Sequence, residues 1–134
     1  MLTRRIARPL MAGIFISGGI DTFRSPEPRA QRVEPVIGKF GESLPLPNDT
    51  VTLVRLNAAV HMVAGTTLAL GKLPRLSAAV LAASLVPTTA AGHRFWEEES
   101  AQSKAMQRTH FLKNLAILGG LIIAATDRPA RKTD

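Results

Sequence analysis

Two stretches of this sequence, Leu76–Ala83 and Leu115–Ala125, are apolar around the whole circumference of a helix. A helix on the surface of a soluble protein keeps a polar face; one without it must be buried in protein or in lipid. With 134 residues the chain has room for one domain, which is too little mass to cover several such helices. Lipid or partner subunits must cover them. The sequence therefore predicts an all-α integral membrane protein, an antiparallel four-helix bundle. Composition agrees: 46% of the residues are apolar but only 4% aromatic. Small residues suit helices in a bilayer, where close backbone approach replaces the hydrophobic effect between them.

Four helices are expected at about 6–24, 51–71, 74–92 and 109–126, with 127–134 as a disordered tail, all within a single domain spanning 1–134. The first run, Pro9 to Phe23, follows Arg4, Arg5 and Arg8. That basic head with a short apolar middle also fits a signal peptide. A small-x-small cleavage site is missing, however, so it is read as an uncleaved helix. Gly71 stops the second helix and Pro74 starts the third. So short a connection forces the two to lie antiparallel. Pro87 removes a backbone donor inside the third helix; Ser84, Thr88 and Thr89 stand by to satisfy the freed groups. The long first loop, residues 24–50, holds five prolines. Two readings stand for its Pro28–Phe40 part: an irregular loop, or a short interfacial helix, because Val33, Val36, Ile37 and Phe40 recur at helical spacing.

The formal charge is +7. Its Lys and Arg residues sit between apolar runs, without the interleaved aromatics of a nucleic-acid surface, so no nucleic-acid partner is expected. Arg4, Arg5, Arg8, Lys72, Arg75, Arg128, Arg131 and Lys132 fall on one side of a four-span topology. Their density next to the spans predicts a multi-pass protein of the cell's inner (plasma) membrane with both termini in the cytoplasm. On the opposite side Trp96, Phe23, Phe95 and Phe111 are expected at the outer interface. The chain has no cysteine, which excludes disulfides, thiol redox centres, iron–sulfur clusters and Cys-ligated zinc within it.

The most informative pattern is where polar groups meet helix ends. Asp21 closes the first helix; Arg55 and Asn57 open the second, with His61 a turn deeper; His93 and Arg94 close the third; His110, Lys113 and Asn114 open the fourth. Alternating topology brings these ends to one mouth. A polar pocket at Asp21, Arg55, His61, His93, Arg94, His110 and Lys113 is one reading, able to take a headgroup, a quinone or another small molecule. A network of ion pairs and hydrogen bonds that only ties helix ends together is the other. Asp21 is expected to find a cation, Arg55, Arg94 or Lys113, because a lone buried charge is costly. The three histidines lie on separate helices without the carboxylate–histidine spacing of a metal site, so no metal is expected. No phosphate loop or nucleophile motif is present.

The segments RRIARPLMAGIFISGGIDTFR, LPRLSAAVLAASLVPTTAAGHRFWEEE and RTHFLKNLAILGGLI, in this order, resemble actinobacterial members of the DoxX family. GHRFWEEE followed by HFLKN is the most specific part. The resemblance implies a small four-helix membrane protein. The family takes its name from the membrane subunit of a thiosulfate:quinone oxidoreductase, and some relatives are associated with complexes linking superoxide defence to thiol or sulfur metabolism. It offers no catalytic motif to carry over.

The implied function is thus a membrane anchor or accessory subunit of a redox-linked assembly, tied to oxidative stress or to quinone or sulfur chemistry. Such a subunit is not expected to be catalytic alone. Its partners would be the lipid bilayer, other membrane or membrane-associated redox proteins, and further copies of itself. The alternative is a quinone- or small-molecule-binding oxidoreductase subunit that uses the polar pocket. A transporter ranks last, since the inner halves of the helices are almost wholly apolar.

Overall fold

The computed structural model describes residues 2–40 and 49–127. Every regular element among them is helical: α1 (Leu2–Arg24), α2 (Glu27–Phe40), α3 (Thr50–Ala69), α4 (Pro74–Gly92) and α5 (Ala101–Thr126), with one 3-10 turn at Phe95–Glu97. The expected tail beyond Asp127 lies outside the described residues.

Local chemistry sets the boundaries of the middle pair. Asp49 caps α3 by accepting from the amides of Val51 and Thr52 at 3.2 and 3.0 Å. The other end closes in a Schellman turn: Lys72 N–H reaches Thr67 O at 2.9 Å, and Gly71 N–H reaches Leu68 O at 3.0 Å. Gly71 has φ +68° there, a conformation that a Cβ disfavours. Leu73 also takes positive φ, and Pro74 then opens α4. α4 runs unbroken through Pro87, where the Thr88 hydroxyl donates to the Ser84 carbonyl at 2.7 Å.

α1 and α3 meet through small residues. A Cβ on Gly19 would lie 2.8 Å from Met62 Cγ and 3.0 Å from the Ala58 carbonyl oxygen; one on Gly65 would lie 3.0 Å from Ile16 Cγ1. These contacts run in opposite directions along the two helices. So do the polar pairs between α3 and α4, Asn57–Thr88, His61–Ser84 and Thr67–Ser77. Between α4 and α5, Arg75 reaches Ala125 O and Thr89 meets Asn114. Arg4 pairs with Asp127 at 2.7 Å, tying the start of α1 to the end of α5. The core these contacts enclose contains Ala12, Phe15, Ala64, Leu68, Ala78, Leu81, Leu85 and Leu121.

Burial is inverted relative to a water-soluble bundle. Ser77, Thr89, Gln107 and Asn114 are buried, whereas Leu56, Val63, Leu76, Val86, Leu112 and Ile123 are more than half exposed. In water that outer surface would be a large apolar liability; in hydrocarbon it is the favourable arrangement. Three helical segments are long and apolar enough to cross a membrane: α3, α4 extended to Glu97, and α5. At about 1.5 Å per residue, twenty residues reach about 30 Å, the thickness of the hydrocarbon layer. α1, the fourth expected span, is not among the three. It is long enough, but Arg4, Arg5, Arg8, Asp21 and Arg24 leave it only a short apolar middle.

Of the two readings for the first loop, the helix is found. Glu27–Phe40 forms α2, amphipathic along its length. α5 begins eight residues earlier than the apolar run predicts, with Ser100 accepting from the Ser103 amide as its N-cap. Its first two turns are polar, so hydropathy gives no sign of them.

Candidate functional site

α2 lies across one end of the other helices and roofs a cavity of about 1150 Å³. Val33, Val36 and Ile37 face the cavity from α2, at the spacing of one helical stripe. Ile14, Phe15, Gly18 and Thr22 line it from α1; Leu53, Val54, Asn57, Ala58 and His61 from α3; Leu85, Pro87, Thr88 and Ala91 from α4. α5 contributes Gln107, His110, Asn114 and Ile117, again one face of a helix. The walls are largely hydrocarbon, and the polar atoms gather in two groups.

The deeper group joins α3 to α4. His61 Nε2 lies 2.9 Å from Ser84 Oγ, Ser84 Oγ donates to Asn57 Oδ1, and Asn57 Nδ2 donates to Thr88 Oγ1 at 3.3 Å. Phe15 presents its ring to the imidazole of His61 edge-on, with centroids 5.2 Å apart. The second group lies toward the mouth and joins the end of α4 to α5. His93 Nδ1 is 2.8 Å from the oxygen of the buried Gln107. Its ring stacks on His110 at 5.4 Å, and Lys113 Nζ is 3.4 Å from His110 Nδ1. Arg29, Arg32 and Lys113 add positive charge to the lining, while among the described residues no Asp or Glu lines it. An anion or a polarisable oxygen is welcome in such a site, and a cation is not. Among the described residues, no three His, Asp or Glu side chains come together as metal ligands would.

Four of the seven residues expected at a polar pocket line this cavity: His61, His93, His110 and Lys113. Asp21, Arg55 and Arg94 do not. Asp21 and Arg55 are exposed, and among the described residues Asp21 has no ion-pair partner, so the expected cation is not at its side. Exposure removes the desolvation cost that would have demanded one. Arg94 lies instead between α2 and the chain after α4, its side chain mostly covered. It pairs with Glu97 at 2.7 Å and donates to the Arg32 carbonyl at 3.1 Å, while Arg32 reaches Glu98 at 3.3 Å. These contacts fasten α2 to the chain that follows α4, so Arg94 helps to hold the roof rather than line the space beneath it. Of the four aromatic residues expected at one interface, Phe95, Trp96 and Phe111 meet edge to face.

The lining cations Arg29 and Arg32 and the lining amide Gln107 were not assigned to the pocket from sequence. Each was detectable in principle. Arg29 and Arg32 continue the stripe of Val33 and Val36 backward by helical steps, and Gln107 lies one turn before His110 on the α5 face.

The model of the DoxX family matches residues 4–94, from α1 to the end of α4, which is more than half of the chain. Neither the curated proteins nor the solved structures provide a match. Apolar helices of membrane-spanning length, polar side chains turned inward and this extended match lead to one conclusion: the chain belongs to the DoxX family, as a membrane protein of that type.

Proposed function

We propose that this chain is a membrane-embedded subunit of a redox-linked assembly, and that its own contribution is to hold a quinone-class or similar amphiphile beneath α2. The cavity carries this reading. Its volume of about 1150 Å³ suits an amphiphilic head and the first part of a tail. Apolar walls from α1, α2, α3 and α5 fit the ring and tail, and the His61 and His93 groups fit the oxygens of the head. A bound quinone would supply reversible two-electron chemistry, for which this cysteine-free chain has no thiol or iron–sulfur centre of its own. A redox partner would exchange the electrons.

The architecture proposed with it is a single-domain, antiparallel four-helix bundle in the inner membrane, with α1 as the fourth span. Support comes from the close approach of Gly19 and Gly65 across α1 and α3 and from the Arg4–Asp127 pair, which join α1 to helices of spanning length. Both termini are placed in the cytoplasm, on the strength of the basic residues at that end. The exposed apolar outer faces offer room for lipid, partner proteins or further copies of the chain.

Purification of the full chain from membranes in mild detergent tests the proposal. Organic extraction and chromatography should recover about one quinone per chain, and Val36→Trp, which fills the cavity from its roof, should lower that yield about tenfold. A purified protein carrying a stable protein partner and no quinone, and unable to take up added decylubiquinone, would leave the chain as an anchor alone.

A further inference from the structure

The hydrogen bonds among Thr88, Asn57, Ser84 and His61 can run in only one direction. The Thr88 hydroxyl lies 2.7 Å from the Ser84 carbonyl oxygen, which can only accept, so its single proton is committed there. Thr88 Oγ1 must then accept from Asn57 Nδ2, 3.3 Å away. This turns Asn57 Oδ1 toward Ser84, and Ser84 Oγ donates its one proton to it. Toward His61 Nε2, at 2.9 Å, Ser84 Oγ is left only as an acceptor. The ring is therefore held as its Nε2–H tautomer, with the lone pair on Nδ1.

That lone pair has no protein partner among the described residues, yet no fully enclosed side-chain nitrogen or oxygen there lacks one. Nδ1 is thus reachable, and the ring it belongs to lines the cavity. Among the described residues, no carboxylate lines that cavity to favour an imidazolium.

We propose that His61 Nδ1 accepts a hydrogen bond from a head group that carries a hydroxyl proton, so that the cavity prefers a phenol or hydroquinone to a molecule of the same shape whose oxygens carry none. The inference rests on the cavity being a binding site and adds which chemical form it selects. A hydroxyl at Nδ1 extends the chain of donors by one link. A carbonyl or ether oxygen at the same place sets lone pair against lone pair and leaves the ring nitrogen unpaired. Ser84 and Asn57 are positioning residues, acting on the ligand through the tautomer of His61.

The test uses the full chain in detergent micelles and two redox-inert probes, 4-decylphenol and its methyl ether, with decylubiquinone as a third ligand. The phenol should bind about tenfold more tightly than the ether, the worth of one good hydrogen bond. His61→Phe keeps an aromatic ring against Phe15 and should bring the ratio close to one, and Ser84→Ala, which frees the tautomer, should lower it. Nitrogen-15 spectra of histidine-labelled protein should show Nδ1 of His61 unprotonated and Nε2 protonated, and Ser84→Ala should disturb that signature. The wild-type ratio and spectrum decide the matter even if both variants fold poorly. Equal binding of phenol and ether, an Nδ1–H signature in the wild type, or a preference that survives His61→Phe would overturn the inference while leaving the cavity as a site. Failure of all three ligands to bind would overturn the site itself.

Discussion

Asp49 shows how one exposed carboxylate can place the start of a helix of membrane-spanning length. It lies just before α3, and hydrogen bonds from the side chain and backbone of Thr52 hold its carboxyl below the ordinary value, with the Val51 amide and the Arg55 charge adding to the effect. A lowered value means that the folded state favours the ionised form more than the unfolded chain does. The cap's contribution is therefore complete above the unfolded pKa, about 4, and fades as the pH falls through the lower folded value. Protection of the Val51 and Thr52 amides from hydrogen exchange, corrected for intrinsic rates, should hold from neutral pH down to about 4 and drop below it. Asp49→Asn should keep the cap and lose that pH step, and Asp49→Ala should lose protection at every pH. An equal drop in the Asn variant would assign the effect to another group.

At the scale of elements, the α1–α3 contact turns on one glycine of a pair. A Cβ on Gly19 would lie 2.8 Å from Met62 Cγ, closer than such atoms come, and tightly against the Ala58 carbonyl at 3.0 Å, while one on its neighbour Gly18 meets nothing within 4 Å. Gly19→Val should cost about 1–3 kcal/mol by overpacking. Gly18→Val, on the cavity side, should cost well under that, and thermal unfolding in detergent compares the two. Equal losses would mean that the two helices do not pack through this face. From sequence, Gly18-Gly19 reads only as a thin place in the helix, because the phase of α1 relative to α3 is set by tertiary contacts. Phase also divides the expected pocket residues. Arg55 is two positions from Asn57, about 200° around α3, and Asp21 stands about 100° from Thr22. Being near a helix end was legible; facing inward was not. The ends of α3 and α4 were legible to within two residues, since Gly71 and Pro74 carry their own backbone constraints. The polar start of α5 was not, because its first two turns have no apolar stripe.

The whole molecule has a charge polarity between its two ends. The end of the bundle where Arg4 and Arg8 approach Asp127 and Arg75 reaches Ala125 O is dense in basic side chains next to apolar helices. The opposite end carries α2, the aromatic group and the carboxylates of Glu97, Glu98 and Glu99. Lys and Arg next to spans resist translocation, whereas a loop of mixed charge crosses more easily.

Because the chain has no native cysteine, single substitutions can report this orientation without background. Ser25→Cys and Ser100→Cys lie at the α2 end, and Thr3→Cys and Leu73→Cys at the basic end. In intact cells a membrane-impermeant maleimide should label the first two, and label the others only after permeabilisation. The pattern also tests α1, whose composition leaves it outside the three clear spans. If Thr3→Cys labelled alongside Ser25→Cys while Leu73→Cys stayed protected, α1 would lie along the surface. The glycine contacts with α3 would then have to form at the membrane face rather than within it. If Leu73→Cys labelled and Ser100→Cys did not, the basic end would face outward. The cavity would then open toward the cytoplasm, where a soluble redox partner could meet its ligand directly. Labelling of Ser25→Cys and Ser100→Cys alone puts α1, α3 and α4 across the bilayer and the roofed cavity at the outer face, so that any electrons exchanged there must come from a partner on that side or within the membrane.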